Sequence, residues 1–208
     1  PLAPLLAKIL KIKDAPRTGV LIVGANIAGR EIARALGASG RRVLLLDKDE
    51  DRVRRANESG LDARIGDALE DPLFERRSFD DVGTLIAVTP NDRVNRVAVK
   101  LHGSHLGHDR ARAVRAAEGP LESKKGDPPF AFGDRVTDQD LSIALRNGAT
   151  IAAAKVDHDL AIKNFGEIET GGVPLFAVKK DESLRWIADD GDLKDGETVY
   201  YLRPAEAK

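Results

Sequence analysis

The sequence predicts an α/β fold, a Rossmann-like parallel sheet with helices on both faces, followed by a small α+β C-terminal domain. In the first half of the chain, short apolar runs alternate with amphipathic stretches, and a glycine-bearing turn follows the first run. This alternation is typical of buried parallel strands joined by right-handed crossover helices. A stretch rich in proline and glycine then precedes a second half with shorter, turn-rich segments.

Each element follows from the period of its apolar residues. In the first half the pattern predicts strands at 20–23, 43–46, 63–65, 84–88 and 111–116, and helices at 27–38, 50–59 and 91–102. In the second half it predicts a helix at 139–146 and strands at 150–156, 173–178, 184–187 and 198–202.

These elements divide the chain into four segments. Residues 1–16 form an amphipathic segment, which either packs on its own domain or is a juxtamembrane or oligomer-contact helix. Residues 17–117 form the nucleotide-binding type of domain, 118–129 a linker, and 130–208 the small C-terminal domain.

Composition excludes several classes of function. A formal net charge of -1 gives no basic field for nucleic acid, and the absence of cysteine excludes disulfides, thiolate zinc sites and cysteine nucleophiles. No apolar run approaches the roughly 20 residues that span a bilayer, so we expect these residues to be soluble. Because the chain begins at Pro1 and contains no methionine, we expect it to be part of a longer protein.

The glycine-bearing turn reads Gly24-Ala-Asn26-Ile27-Ala-Gly29, where dinucleotide-binding folds have GxGxxG. The first glycine permits a tight turn, the third lets helix and strand approach closely, and the free N–H groups of the helix start favour a phosphate. Asn26 replaces the middle glycine. Its side chain can donate a hydrogen bond to a phosphate, or the motif is a structural turn without a ligand.

Asp47 ends the second predicted strand, where an acidic residue accepts hydrogen bonds from the adenosine ribose. Its charge would repel a 2′-phosphate, which favours NAD or an adenosine nucleotide over NADP, with Lys48 as a nearby cation. The alternative is that Asp47 only caps the helix that begins near Glu50.

Two further motifs follow the third and fourth strands, and ligands of open α/β sheets bind outside these carboxyl ends. Asp67 and Ala68 are candidates to border an adenine, and Thr89 and Asn91 to face a ribose or phosphate. Asp67 and Asn91 are equally good helix caps.

The histidines give weaker signals. His102, His105 and His108 recur every three residues, but Gly103 and Gly107 are expected to break a helix through them, so we predict no metal site. His158 lies between Asp157 and Asp159 and is expected to be a surface group.

In order, these motifs resemble the RCK domain, also called the potassium-transport nucleotide-binding or TrkA-N domain. The matching residues are 20–29, 44–47, 66–68 and 89–92 with Asn95, and the C-terminal segments 173–178 and 196–203 are similar to those of monovalent cation/proton antiporters. The resemblance implies a cytosolic, nucleotide-sensing regulatory domain with no enzymatic activity. It also implies homodimers or larger homo-oligomers, and attachment to a transmembrane ion-transport domain at the cytoplasmic face of the membrane.

The implied ligand is NAD(H) or an adenine nucleotide (AMP, ADP or ATP). The expected ligand-binding set comprises Gly24, Asn26, Ile27, Gly29, Asp47, Lys48, Asp67, Ala68, Thr89 and Asn91. Two other functions remain open. One is a small NAD-dependent oxidoreductase in which His102 or His158 supplies the proton, and the other is a degenerate Rossmann domain with only an assembly role.

Overall fold

The computed structural model describes residues 17–70, 79–119, 126–188 and 191–205. The predicted amphipathic segment at 1–16 and residues 120–125, half of the predicted linker, lie outside the described residues.

The first half forms a five-stranded parallel sheet, which confirms the predicted fold. Its strands are β1 (Gly19–Val23), β2 (Val43–Asp47), β3 (Asp62–Ile65), β4 (Val82–Ala87) and β5 (Ala111–Ala113), in the spatial order β3-β2-β1-β4-β5. All five residues of β1 are buried, as expected for a central strand covered on both faces. Charged Asp62 and Arg64 are exposed on the edge strand β3, where charge discourages pairing with another chain.

Three helices cover the two faces of this sheet: α1 (Ile27–Ala38), α2 (Glu50–Glu58) and α3 (Asp92–Leu106). Side chains of β1 alternate between them, because successive residues of a strand point to opposite faces. Val20 and Ile22 pack in the same core as α1, whereas Leu21 and Val23 pack in the core that contains α3 residues.

The second half begins with α4 (Asp138–Arg146) and is mostly antiparallel. A four-stranded sheet has the order β6-β11-β8-β9, formed by Thr150–Lys155, Thr198–Arg203, Val173–Val178 and Leu184–Trp186. The sequence pattern missed the short elements β7 (Leu160–Ala161), α5 (Phe165–Ile168) and β10 (Asp192–Leu193), which pairs with β7. It also missed two 3₁₀ helices, at His108–Arg110 and Ile162–Asn164. Elements of two to four residues are too short for a period to show.

The two halves share one hydrophobic core. Ile32 and Leu36 of α1 pack in the same cluster as Phe132, Leu141 of α4 and Phe176 of β8, all with 1% or less of their surface exposed. The chain after 128 also runs beside β5, with parallel bridges from Ala113 to Phe130 and from Arg115 to Thr137. The predicted linker at 118–129 stays a proposal. The residues on either side of it pack together in this one core.

The described helices include none that is long and apolar enough to cross a membrane.

Candidate functional site

A cleft of about 230 Å³ opens at the carboxyl ends of the parallel strands. Its walls come from the ends of β1 and β2, the segment after β3 and the turn between β4 and α3. The lining residues are Val23, Gly24, Leu46, Asp47, Lys48, Arg52, Gly66, Asp67, Ala68, Thr89, Pro90, Asn91 and Val94. The strand order reverses beside β1, so the cleft lies where ligands bind in doubly wound sheets.

The glycine turn approaches both β4 and its own helix closely. Gly24 has φ +113°, which an L side chain rarely adopts, and a Cβ there would lie 3.2 Å from the carbonyl oxygen of Val88. A Cβ on Gly29 would lie only 1.9 Å from the carbonyl oxygen of Gly24. Both glycines therefore have the steric roles that the motif predicts.

Asn26 caps α1 rather than facing the cleft. Its Oδ1 accepts a hydrogen bond from the Gly29 N–H at 2.9 Å, and its Nδ2 donates to the carbonyl oxygen of Val88 at 2.7 Å. The Nδ2 group, which was expected to donate to a phosphate, donates to Val88 instead. Asn26, Ile27 and Gly29 are not among the lining residues, but they form the turn and the first helical turn next to the cleft.

Asp47 holds the glycine turn in place from the end of β2. Its Oδ2 accepts from the Ala25 N–H at 2.8 Å, and its Oδ1 accepts from the Asp49 N–H at 3.0 Å. The interpretation of Asp47 as the cap of α2 is wrong, because Asp49 is the N-cap and accepts from the Arg52 N–H. A carboxylate has about four acceptor sites, so Asp47 retains capacity for ribose hydroxyls.

An ion pair joins the segments after β2 and β3. Lys48 Nζ lies 2.6 Å from Asp67 Oδ2, and the Leu69 N–H donates to Asp67 Oδ1 at 2.8 Å. Burial alone would raise the pKa of Asp67, but the hydrogen bonds from Lys48 and Leu69 and the charge of Lys48 outweigh it and hold this pKa below its ordinary value. Asp67 is therefore an anion at neutral pH, paired across the cleft wall.

The β4–α3 turn is fixed by a buried amide. Asn91 is the N-cap of α3, as one of its two interpretations predicts, and accepts from the Val94 N–H at 3.1 Å. The Thr89 hydroxyl donates to Oδ1 of the fully buried Asn95 at 2.6 Å. Thr89 therefore lines the cleft with its hydroxyl already bound to protein.

Two arginines at this end of the sheet were missed by the sequence prediction. Arg52 lines the cleft, with its NH1 3.6 Å from Asp47 Oδ2, and Arg30 donates to the carbonyl oxygen of Ala25 at 2.7 Å. Burial and the charges of neighbouring arginines (Arg34, Arg55 and Arg52) lower the pKa of Arg30. In the cleft lining, Lys48 and Arg52 balance the charges of Asp67 and Asp47, so the carboxylates leave no net negative charge to repel an anionic ligand. The sequence signal that could have indicated Arg52 is its position one helical turn after Asp49.

The histidines lie elsewhere or are enclosed. Helix α3 continues through Gly103 and ends at Leu106, so the expected break at Gly103 is wrong; Gly107, with φ +95°, ends the helix. His102 is buried, with Nε2 2.8 Å from the carbonyl oxygen of Ala68. Within the described residues, no three His, Asp or Glu side chains form a group that could hold a metal ion. His158 is exposed beside Asp157, as expected.

Seven of the predicted ligand-binding residues thus line one cleft, and the other three form the adjoining start of α1. The family model of the TrkA-N domain matches residues 20–123, half of the chain, and this range includes every lining residue. The chain belongs to the TrkA-N family. The TrkA-N match begins in β1 and extends past β5, which confirms the resemblance drawn from the motifs.

Known TrkA-N and RCK proteins are similar to this chain over different lengths. The Trk system potassium uptake protein TrkA of Mycobacterium tuberculosis is 31% identical over 78 residues, which are 38% of this chain and 36% of that protein. The TrkA-N domain of the inner membrane protein ybaL from Escherichia coli is 21% identical, covering 50% of this chain and 76% of that one, with a TM-score of 0.41. The GsuK RCK domain is 16% identical, covering 96% and 47%, with a TM-score of 0.44.

Proposed function

We propose that the cleft binds an adenine nucleotide and that this chain is the cytosolic sensing domain of an ion transport system. The observation that carries the proposal is the position of Asp47, which lines the cleft while its Oδ2 fixes the glycine turn at Ala25. A ribose in the cleft would meet this carboxylate, and its 5′-phosphate would meet the N-terminus of α1.

The transport role is supported by the family and by the relative named for potassium uptake. We propose a monovalent cation (K⁺ or Na⁺)/proton antiporter or a related system, because the C-terminal segments resemble those of such antiporters. On this proposal the chain forms homodimers or larger assemblies at the cytoplasmic face of the membrane. A nucleotide would act by its different affinity for two arrangements of the domain, without being consumed.

The geometry gives less support to an oxidoreductase. His102 is buried against the carbonyl oxygen of Ala68, and His158 lies in the loop after β6, outside the cleft lining. Neither histidine is placed to pass a proton to a substrate in the cleft. Consumption of NADH with small carbonyl substrates would favour the oxidoreductase and contradict our proposal.

The test is a thermal-shift panel of the chain with NAD, NADH, NADP, AMP, ADP and ATP. A ligand at one hundred times its dissociation constant adds about 2.7 kcal/mol, which raises Tm by roughly 5 to 10 degrees for a chain of this size. Asp47→Ala should abolish the shift, and Asp157→Ala, at an exposed position outside the cleft lining, should retain it. No shift with any nucleotide would favour a purely structural role for the domain.

A further inference from the structure

The Asn26 side chain spans the crevice in which a dinucleotide would cross the sheet. The strand order reverses between β1 and β4, and dinucleotides bind across the crevice at such a reversal. Asn26 follows β1 and Val88 follows β4, and the hydrogen bond from Asn26 Nδ2 to the Val88 carbonyl oxygen is 2.7 Å long. A side chain thus joins the ends of the two strands at the position where the standard motif has a glycine.

This bridge is held at both ends. The same amide caps α1 through Gly29, so moving it aside would give up the cap and the bond to β4 together. The backbone before Asn26 is fixed as well, because Ala25 donates to Asp47 and accepts from Arg30. The turn is therefore held by hydrogen bonds within the chain.

On the β4–β5 side of the crevice, the segment after β5 is hydrogen-bonded to the start of α4. Beyond β5, the Ala117 N–H donates to Asp138 Oδ1 and the Asp138 N–H donates to the Arg115 carbonyl oxygen, both at 3.0 Å. These bonds attach the start of α4 to the half of the sheet that would receive the second nucleotide. The residues lining the cleft belong to the other half and to the β4–α3 turn.

Building on the nucleotide binding proposed above, we infer that this site takes an adenine mononucleotide and that Asn26 excludes dinucleotides. The cleft of about 230 Å³ is enclosed by the ends of β1 and β2, the segment after β3 and the β4–α3 turn, next to Asp47 and the start of α1. An adenosine with its 5′-phosphate needs only these walls. A dinucleotide must also pass its pyrophosphate between the glycine turn and Val88, where the Asn26 amide lies.

AMP and NAD are a matched pair of probes, because NAD contains the whole of AMP. Calorimetry on the chain should give AMP an affinity at least roughly tenfold higher than NAD. Asn26→Gly removes the bridge, and glycine is a tolerated N-cap, so this variant should fold. In it, NAD affinity should rise by roughly tenfold or more while AMP affinity changes little.

A second variant separates the bridge from the cap. Asn26→Ser retains a hydroxyl that can accept from Gly29 but is too short to reach Val88, so its preference for AMP should also fall. Asn164→Gly is the control, because Asn164 precedes α5, has no side-chain capping bond and is outside the cleft lining. It should bind both probes as the wild type does.

Three results would overturn the inference. Equal affinity of the wild type for NAD and AMP would do so and leave the proposed nucleotide sensor standing. An unchanged ratio of AMP affinity to NAD affinity in folded Asn26→Gly would also overturn the inference and leave the proposed sensor standing. If neither probe binds the wild type, the inference fails, and the proposed function fails with it only when ADP and ATP do not bind either.

Discussion

Replacing Asn95 with leucine should destabilise the fold by about 3 kcal/mol, because it leaves a buried carbonyl oxygen without a hydrogen-bond partner. Asn95 is fully buried, and its side chain makes four hydrogen bonds. Its Oδ1 accepts from the Thr89 N–H and hydroxyl, and its Nδ2 donates to the carbonyl oxygens of Thr89 at 2.8 Å and Val114 at 3.2 Å. Leucine has a similar volume, so the change tests polar contacts rather than a cavity.

The estimate depends on whether each group that Asn95 bonds can find another hydrogen-bond partner after the substitution. The Thr89 hydroxyl can turn to the Asn91 carbonyl oxygen at 3.2 Å, and the backbone of Thr89 can reach water in the cleft, so these losses cost about 1 kcal/mol each or less. Val114 is fully buried, and its carbonyl oxygen then carries a desolvation penalty of about 1 to 3 kcal/mol. Burial of the leucine offsets a part of this sum.

Urea unfolding followed by far-UV circular dichroism measures the difference. Asn91→Ala is the control on the same helix: it removes one exposed capping bond and should cost about 1 kcal/mol. If Asn95→Leu costs no more than this control, the buried amide does not hold the turn as described. Because Thr89 and Asn91 line the cleft, Asn95→Leu should also weaken binding of any nucleotide that the wild type binds.

Three further predictions test the packing around the cleft and between the two halves. Gly29→Ala should cost about 2 to 3 kcal/mol, since its Cβ would meet the Gly24 carbonyl, whereas Gly37→Ala in the same helix has open space and should gain up to about 1 kcal/mol in urea titrations. Burial raises the pKa of Asp138 despite backbone hydrogen bonds from Ala117 and Gln139, so the folded state holds this proton to higher pH than the unfolded state. The resulting stability is complete below about pH 4 and is lost as the pH rises through the raised value, so wild type should lose stability relative to Asp138→Asn in titrations from pH 4 to 7. Phe132→Ala should cost about 3 to 5 kcal/mol, and unfolding of the wild type followed by fluorescence of Trp186, the single tryptophan, should coincide with circular dichroism; separate transitions would show that the halves unfold independently.

The parallel sheet was predictable because its signals are local. Each strand from β1 to β4 contains apolar residues. A glycine turn, or a stretch whose apolar residues recur with the helical period of 3.6, lies next to it in the sequence. The second half gave weaker signals, because β7 and β10 have two residues each and form only by pairing with each other across 30 residues of chain. Such elements depend on tertiary contacts rather than on their own composition.

The cleft was predictable to the extent that strand ends define it, since residues that follow parallel strands meet at one edge of a sheet. What the pattern could not give is the partner that each polar side chain selects. Asn26 could have pointed its amide at a ligand, but its donor bonds to Val88, 62 residues away, and this choice depends on how closely β1 and β4 approach after folding. For the same reason the order of motifs identifies a nucleotide-binding fold, whereas the size of the ligand depends on one side chain at the crevice between those strands.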